Sequence, residues 1–214
     1  MIINKINKKV IKRGQEKSIY LTFDDGPNEI YTPKILDILD EFGVKATFFV
    51  VGKNAERCPK IVKRIHREGH DIGNHTYSHP GSPLLKARKR RFIKKEIVKT
   101  DRVIENIIGE RPILFRPPLA FWDISSGFLK RQAKEFGHLY IGWSFSTMDW
   151  LGNQFIIKKK YLQQPKNDGD IVLLHDGSEN TLVKRRWATV KMLPEIIRDC
   201  RDNSLQPLPL TSSL

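Results

Sequence analysis

Residues 22–28 read Thr-Phe-Asp-Asp-Gly-Pro-Asn, and further along the chain comes His75-Thr-Tyr-Ser-His79. Paired carboxylates and two histidines four apart are the raw material of a metallohydrolase. Histidines at that spacing fall on one face of a helical turn. With one carboxylate from elsewhere they leave a divalent ion with open positions for water and substrate. The other Asp is then free to act as a base. Taken alone, Asp24-Asp25-Gly26-Pro27 reads more readily as a solvated turn, and H-x-x-x-H as two polar loop histidines. An apolar run ahead of Asp24, together with the distant His pair, tips the balance toward a site. Neighbouring side chains on a strand point to opposite faces, so Asp24 and Asp25 share a pocket only if the strand stops there, and Gly26-Pro27 provides the break.

Three later segments add groups of the right kind. Phe115-Arg116-Pro117-Pro118 sets a fork-shaped cation at a strand end, able to clamp a carboxylate or, on the plainer view, a surface Arg near a turn. The stretch 143–150 ends in Asp149-Trp150, and 171–175 ends in His175, so one acid and one histidine can pair. Trp150 and Leu173 are core residues by default, and only their neighbours place them at a pocket. His70 is expected to satisfy a local hydrogen bond, and His66 and His138 to sit at the surface or at helix ends without a role.

The elements that must position these residues follow from periodicity. Short apolar runs at 18–23, 45–51, 70–73, 113–115, 139–145 and 170–174 read as buried parallel strands. Helical periods occupy 33–42, 59–68, 91–108, 126–136 and 188–203, with Pro33 and Pro59 in first turns and Gly43, Gly69, Gly109 and Gly137 at the ends. Such alternation implies βα units, and the suggestive residues all fall just after the strands, where an α/β barrel or open sheet carries its site.

At 214 residues the chain is sized for one α/β domain, read as residues 17–206 between a basic arm at 1–16 and a tail at 207–214, both taken as surface arms. Its 38 Lys and Arg against 24 Asp and Glu give +14, which favours anionic surroundings. The run 86–95 reads first as a solvated helix face. Its aromatics are not interleaved as a stacking platform needs, so no nucleic acid is expected. Cys58 and Cys200 have no CxxC context and read as ordinary thiols. Residues 1–17 are basic and lack the apolar run of a secretory signal, which favours a cytoplasmic protein unless a leader was removed. No stretch nears the roughly 20 apolar residues that cross a bilayer.

In order, T-F-D-D-G-P, H-T-x-x-H, R-P-P, D-W and L-x-H resemble the five motifs of the polysaccharide deacetylase (NodB-homology) family, the fourth group of carbohydrate esterases. The resemblance runs from Thr22 to His175. It implies a distorted (β/α)7-8 barrel that removes acetyl groups, usually from N-acetylglucosamine units, with a divalent metal, typically zinc, though cobalt or another divalent ion would serve. Asp25, His75 and His79 would be the metal ligands and Asp24 the general base. Arg116 would hold Asp24, His175 would be the general acid, and Asp149 would orient that histidine. The Leu119 backbone N–H would stabilise the oxyanion, with Trp150 and Leu173 flanking the acetyl methyl. The chain departs from the family where Leu119-Ala120 replaces an aromatic and Gly, and where Ser146 stands in place of an additional acid. Both changes bear on substrate identity more than on reaction type.

The expected activity is therefore N-deacetylation of an amino sugar in an oligosaccharide, polysaccharide or lipid-linked glycan, with carbohydrate, in some cases anionic or membrane-linked, as partner. A sugar deformylase or O-deacetylase would use the same machinery. A catalytically silent carbohydrate- or polyanion-binding protein is the distant alternative.

Overall fold

The computed structural model describes residues 17–80, 90–118, 127–178 and 185–214. At its centre lies β1 (Ser18–Asp24), flanked by β2 (Thr47–Val50) and β7 (Asp170–His175). Outward from these run β3 (Asp71–Asn74), β4 (Leu114–Phe115) and β5 (Leu139–Tyr140) on one side, and β6 (Phe145–Ser146) on the other. Every pairing is parallel, in the order β5-β4-β3-β2-β1-β7-β6. Around the sheet pack α1 (Tyr31–Glu41), α2 (Gly52–Arg57), α3 (Pro59–Arg67), α4 (Arg90–Ile108), α5 (Phe128–Glu135), α6 (Gln154–Leu162) and α7 (Trp187–Asp202). Among the described residues β5 and β6 do not pair with each other, so the single domain is a distorted (β/α) barrel with one open seam.

Alternation along β1 divides the core. Ile19, Leu21 and Phe23 face the helices, in one cluster with Phe48, Val50, Val172 and Leu174. Tyr20 faces the barrel interior with Phe49, Leu114 and Ile171. Thr22 and Asp24 follow Tyr20 at the strand period of two, so Asp24 arrives at the rim of the interior. A strand buried on both faces has to read as a nearly continuous apolar run, and that is how β1 and β7 were recognisable. The helix ends also fall as expected, with Gly43 and Gly109 in the left-handed conformation after α1 and α4.

Three expectations need correction. The run 139–145 is not one strand: β5 pairs with β4, β6 with β7, and the chain between them turns aside where the Gly142 carbonyl accepts a hydrogen bond from Arg116 Nη2 at 2.7 Å. Helices α2 and α6 were not anticipated. The segment 207–214 is not a surface arm: Gln206–Pro207 forms β8 against β1, Leu210 is buried with Tyr20 and Ile171 in the barrel interior, and Thr211 bonds to Asp71 through its N–H and hydroxyl. This last segment is the floor of the barrel. Pro207 is tolerated because Gln206 and Leu208 donate the ladder bonds, to Lys17 O and Ile19 O, while the proline nitrogen faces away. The arm at 1–16 lies outside the described residues. No helix among those described is long and apolar enough to cross a membrane.

Candidate active site

Asp24 ends β1, and Asp25 adopts a left-handed backbone with φ 74°, which turns its side chain out of the strand alternation and into the same pocket. Two contacts hold that conformation. Asn54 Nδ2 donates to Asp25 O at 2.9 Å, and Gly177 packs so closely that a Cβ there would lie 2.0 Å from the same carbonyl oxygen. Only glycine permits that approach.

His75 and His79 meet Asp25 from the loop after β3. His75 Nε2 lies 3.4 Å and His79 Nε2 3.0 Å from Asp25 Oδ1. The expected helical turn is absent: residues 75–79 are irregular, with Thr76 and His79 at φ 67° and 47°. Side chains from elsewhere supply the hydrogen bonds a helix would have made. Glu96 on α4 accepts from Tyr77 N at 3.1 Å and Ser78 N at 2.8 Å, and from the Ser78 hydroxyl at 3.0 Å. Asn74 Oδ1 accepts from Thr76 N at 2.8 Å, while its amide donates to Ile97 O and Asp101. His75 Nδ1 faces Arg116 O at 2.6 Å. A carbonyl only accepts, so Nδ1 carries the proton and Nε2 presents its lone pair to the pocket.

These three side chains fit a divalent metal. One ligand atom from each of Asp25, His75 and His79 lies within 4.8 Å of the others, and all three residues are buried. Burial opposes the Asp25 charge, but the close approach of the His75 and His79 rings and the nearby His175 hold its carboxyl well below the usual range. A buried, ionised carboxylate between two imidazoles is a hard-and-borderline donor set of the kind zinc takes.

Asp24 is fixed differently. Its Oδ1 accepts from Arg116 Nη1 at 2.8 Å, leaving Oδ2 on the side of His75 Nε2, 3.8 Å away. Arg116 is completely buried. It also donates to Thr22 Oγ1 and to Gly142 O, and its guanidinium stacks 4.1 Å from the Phe49 ring centre. The same side chain thus orients an acid and ties the β5–β6 connection to β1 across the open seam.

On the other flank, β1 and β7 pair Asp24 with His175. His175 Nδ1 and backbone N–H contact the two Asp149 oxygens at 2.7 Å each, and Thr189 Oγ1 donates to Asp149 Oδ2 at 2.8 Å. Burial alone would lower the imidazole pKa; the Asp149 charge and hydrogen bond outweigh it, Asp25 and Asp24 add to the effect, and the group is raised to about 9. Leu173, two residues earlier on the same face of β7, is buried below His175. Trp150, partly exposed, follows Asp149 in a short 3₁₀ turn. Leu119 lies outside the described residues.

Several partners were missed. Asp176 is buried against the β1 exit, accepts from Thr32 Oγ1 at 2.6 Å, and is raised to about 7 by burial, opposed by the Thr32 bond and reinforced by Asp25 and Asp24. Arg186 is fully buried and donates from Nε to Gly177 O, the residue packed on Asp25. Nothing in the sequence marks Arg186. Glu96 carried a signal: it is the only acid in the basic stretch 90–100, on the side of Ile93 and Ile97. His70 behaves as expected, accepting from Ala46 N at 3.1 Å, and is lowered to about 4 by burial. His138, though at a helix end, is buried and paired with Asp101 at 3.0 Å. Both cysteines are free and buried.

Comparison with known proteins agrees with this geometry. Residues 11–140 match the family model described as polysaccharide deacetylase. A peptidoglycan-N-acetylglucosamine deacetylase of Bacillus cereus is 39% identical over 83% of this chain and 62% of its own length. The chain therefore spans less than two thirds of that relative. A chitooligosaccharide deacetylase of Sinorhizobium fredii is 35% identical over 86% of each. Among solved structures, a crystal structure of a peptidoglycan N-acetylglucosamine deacetylase superimposes with a TM-score of 0.80 at 36% identity, covering 94% of this chain and 89% of that one. The family model spans more than half of the chain and the barrel superimposes on that of a solved relative, and the chain belongs to the polysaccharide deacetylase family.

Proposed function

We propose that this protein hydrolyses the N-acetyl group of N-acetylglucosamine-type sugars in a glycan such as peptidoglycan or a chitooligosaccharide. The observation that carries the reading is the division of labour at Asp24 and Asp25, adjacent in sequence. Asp25 is shared by two imidazoles, whereas Asp24 has one oxygen on Arg116 and the other turned to the pocket. A divalent ion held by Asp25, His75 and His79, zinc on donor grounds, would bring a water's pKa to about 7 and polarise the acetyl carbonyl.

Asp24 Oδ2 takes a proton from the water that attacks the carbonyl carbon. The Arg116 bond to Oδ1 prevents that carboxylate from rotating away. Cleavage of the C–N bond releases acetate and an amine that needs a proton. His175 supplies it from Nε2, because Nδ1 is held by Asp149. Leu173 and Trp150 border the space left for the acetyl methyl. Acetate release from N-acetylchitooligosaccharide and peptidoglycan by zinc-loaded protein tests the reading. Asp24→Asn is expected to keep its metal and lose about 10²- to 10⁴-fold in kcat. Undiminished turnover in that variant would remove Asp24 from the base role.

A further inference from the structure

Two of the three acids of helix α4, Glu96 and Asp101, are buried and engaged, Glu96 on the His79 loop and Asp101 on Asn74, Arg111 and His138, while the third, Glu105, is exposed near the helix end. Its bases Arg91, Lys94, Lys95, Lys99 and Arg102 are all exposed. Arg91, Lys95, Lys99 and Arg102 follow one another at spacings of four, four and three, a single stripe about 16 Å long. Among the described residues none of the five has a carboxylate within ion-pair distance. Some bases elsewhere on the surface are paired, Arg64 with Glu68 and Asp37 and Lys158 with Glu195. Like charges stacked along one helix face repel one another, and an anion laid along the stripe would offset that repulsion.

The stripe also touches the site. Lys99 Nζ lies 3.5 Å from the ring centre of Tyr77, which sits between His75 and His79, and Glu96 one turn earlier holds that same loop. α4 follows β3, whose carboxyl end carries the histidines, so its first turns stand at the site end of the barrel. We propose that the α4 stripe is a subsite for the carboxylates of an acidic glycan whose reacting sugar occupies the Asp25–His79 pocket, the chain passing over Tyr77 and along Lys99, Lys95 and Arg91. The inference deepens the deacetylase reading and rests on it for the polymer's identity. A membrane is the poorer occupant: none of the exposed large apolar side chains lies on α4, so the stripe offers charge without an inserting wedge.

The test is direct binding of soluble peptidoglycan strands, which bear lactyl and peptide carboxylates, against neutral N-acetylchitooligosaccharide. Wild type should prefer the acidic strands by about tenfold or more at low salt. The preference should vanish near 1 M salt, where the screening length is about 3 Å. Arg91→Gln, Lys94→Gln, Lys95→Gln and Arg102→Gln combined should abolish it. A control that loses equal charge elsewhere, Lys134→Gln, Lys158→Gln, Lys159→Gln and Lys191→Gln, should retain it. Lys95→Glu alone should move affinity the same way by a smaller factor, which keeps the test open if the fourfold variant folds poorly. An undiminished preference in the stripe variants overturns the inference. So does stripe-dependent binding to phosphatidylglycerol vesicles or duplex DNA that exceeds binding to the glycan. Acetate release from the same strands is read separately: release without an acidic preference overturns the subsite alone, and preference without release leaves the subsite and removes the deacetylase reading.

Discussion

The two flanks of the site are held by different means. On the Asp25–His75–His79 flank the backbone does the positioning: three left-handed residues, a glycine-tight contact under Asp25, and hooks from Asn54, Asn74 and Glu96 into the loops. On the other flank His175 sits at an ordinary strand end, with a left-handed residue only at Met148 ahead of Asp149, and charge does the positioning through Asp149, itself bonded by Thr189 and the His175 N–H. A donor set for a metal needs shape, because three atoms must converge. An acid that gives up a proton needs a tuned pKa. Damage to the first flank should therefore appear as lost metal affinity, and damage to the second as a displaced pH profile.

His79→Ala should have the largest effect. Removing one of three ligands leaves Asp25 with a single imidazole, and tight zinc uptake, followed by calorimetric titration, is expected to disappear. Retained uptake would break the comparison at its strong end. Asp149→Asn comes next, with zinc affinity little changed and kcat lower by about 10²-fold or more. The mechanism needs a protonated His175, so the alkaline limb of the rate profile, carried by a group raised to about 9, should move to lower pH once Asp149 loses its charge. Linkage gives a second readout on metal-free protein. A raised histidine pKa contributes stability that is full below 6.5 and is lost as pH rises through about 9, so the wild-type advantage in urea should shrink from about pH 6 to about pH 10. An unmoved limb would mean that the imidazole is tuned by something other than Asp149. The smallest effect is expected from Glu96→Gln, which touches no ligand yet supports the His79 loop. Zinc affinity should fall about 10- to 100-fold with the limb in place, and a shifted limb would show that the flanks are not separable.

Much of this was legible beforehand, for reasons that differ by element. β1 and β7 are buried on both faces and so carry long apolar runs, and the chemistry sits at their ends because the strands stop there. The short strands were harder. The run 139–145 is apolar throughout, yet Arg116 draws the Gly142 carbonyl inward and splits it. α6 lacks a one-sided pattern because Phe155 and Leu162 are exposed while Ile157 and Tyr161 are buried; Asn153, which caps its first amides, was the usable signal. The four-residue His spacing does bring two imidazoles to Asp25, but not through a helix, since the loop is folded by Glu96 and Asn74 from outside its own sequence. Pairings such as Arg186 with Gly177, or Thr189 with Asp149, join residues with no shared local pattern and become visible only in three dimensions.

The barrel floor has a consequence for biosynthesis. Of the described strands β1 is made before the others but is paired by β7, with Thr22 and Val172 lying 150 residues apart, and it is closed from below by β8 and Leu210, later still in the chain. Until those segments emerge the central strand has an unpaired edge and an uncovered apolar end, the conditions under which nascent chains associate wrongly. The sheet beside Asp24 is thus completed only once β7 has emerged, and the pocket's underside is sealed only after β8 and Leu210 follow it.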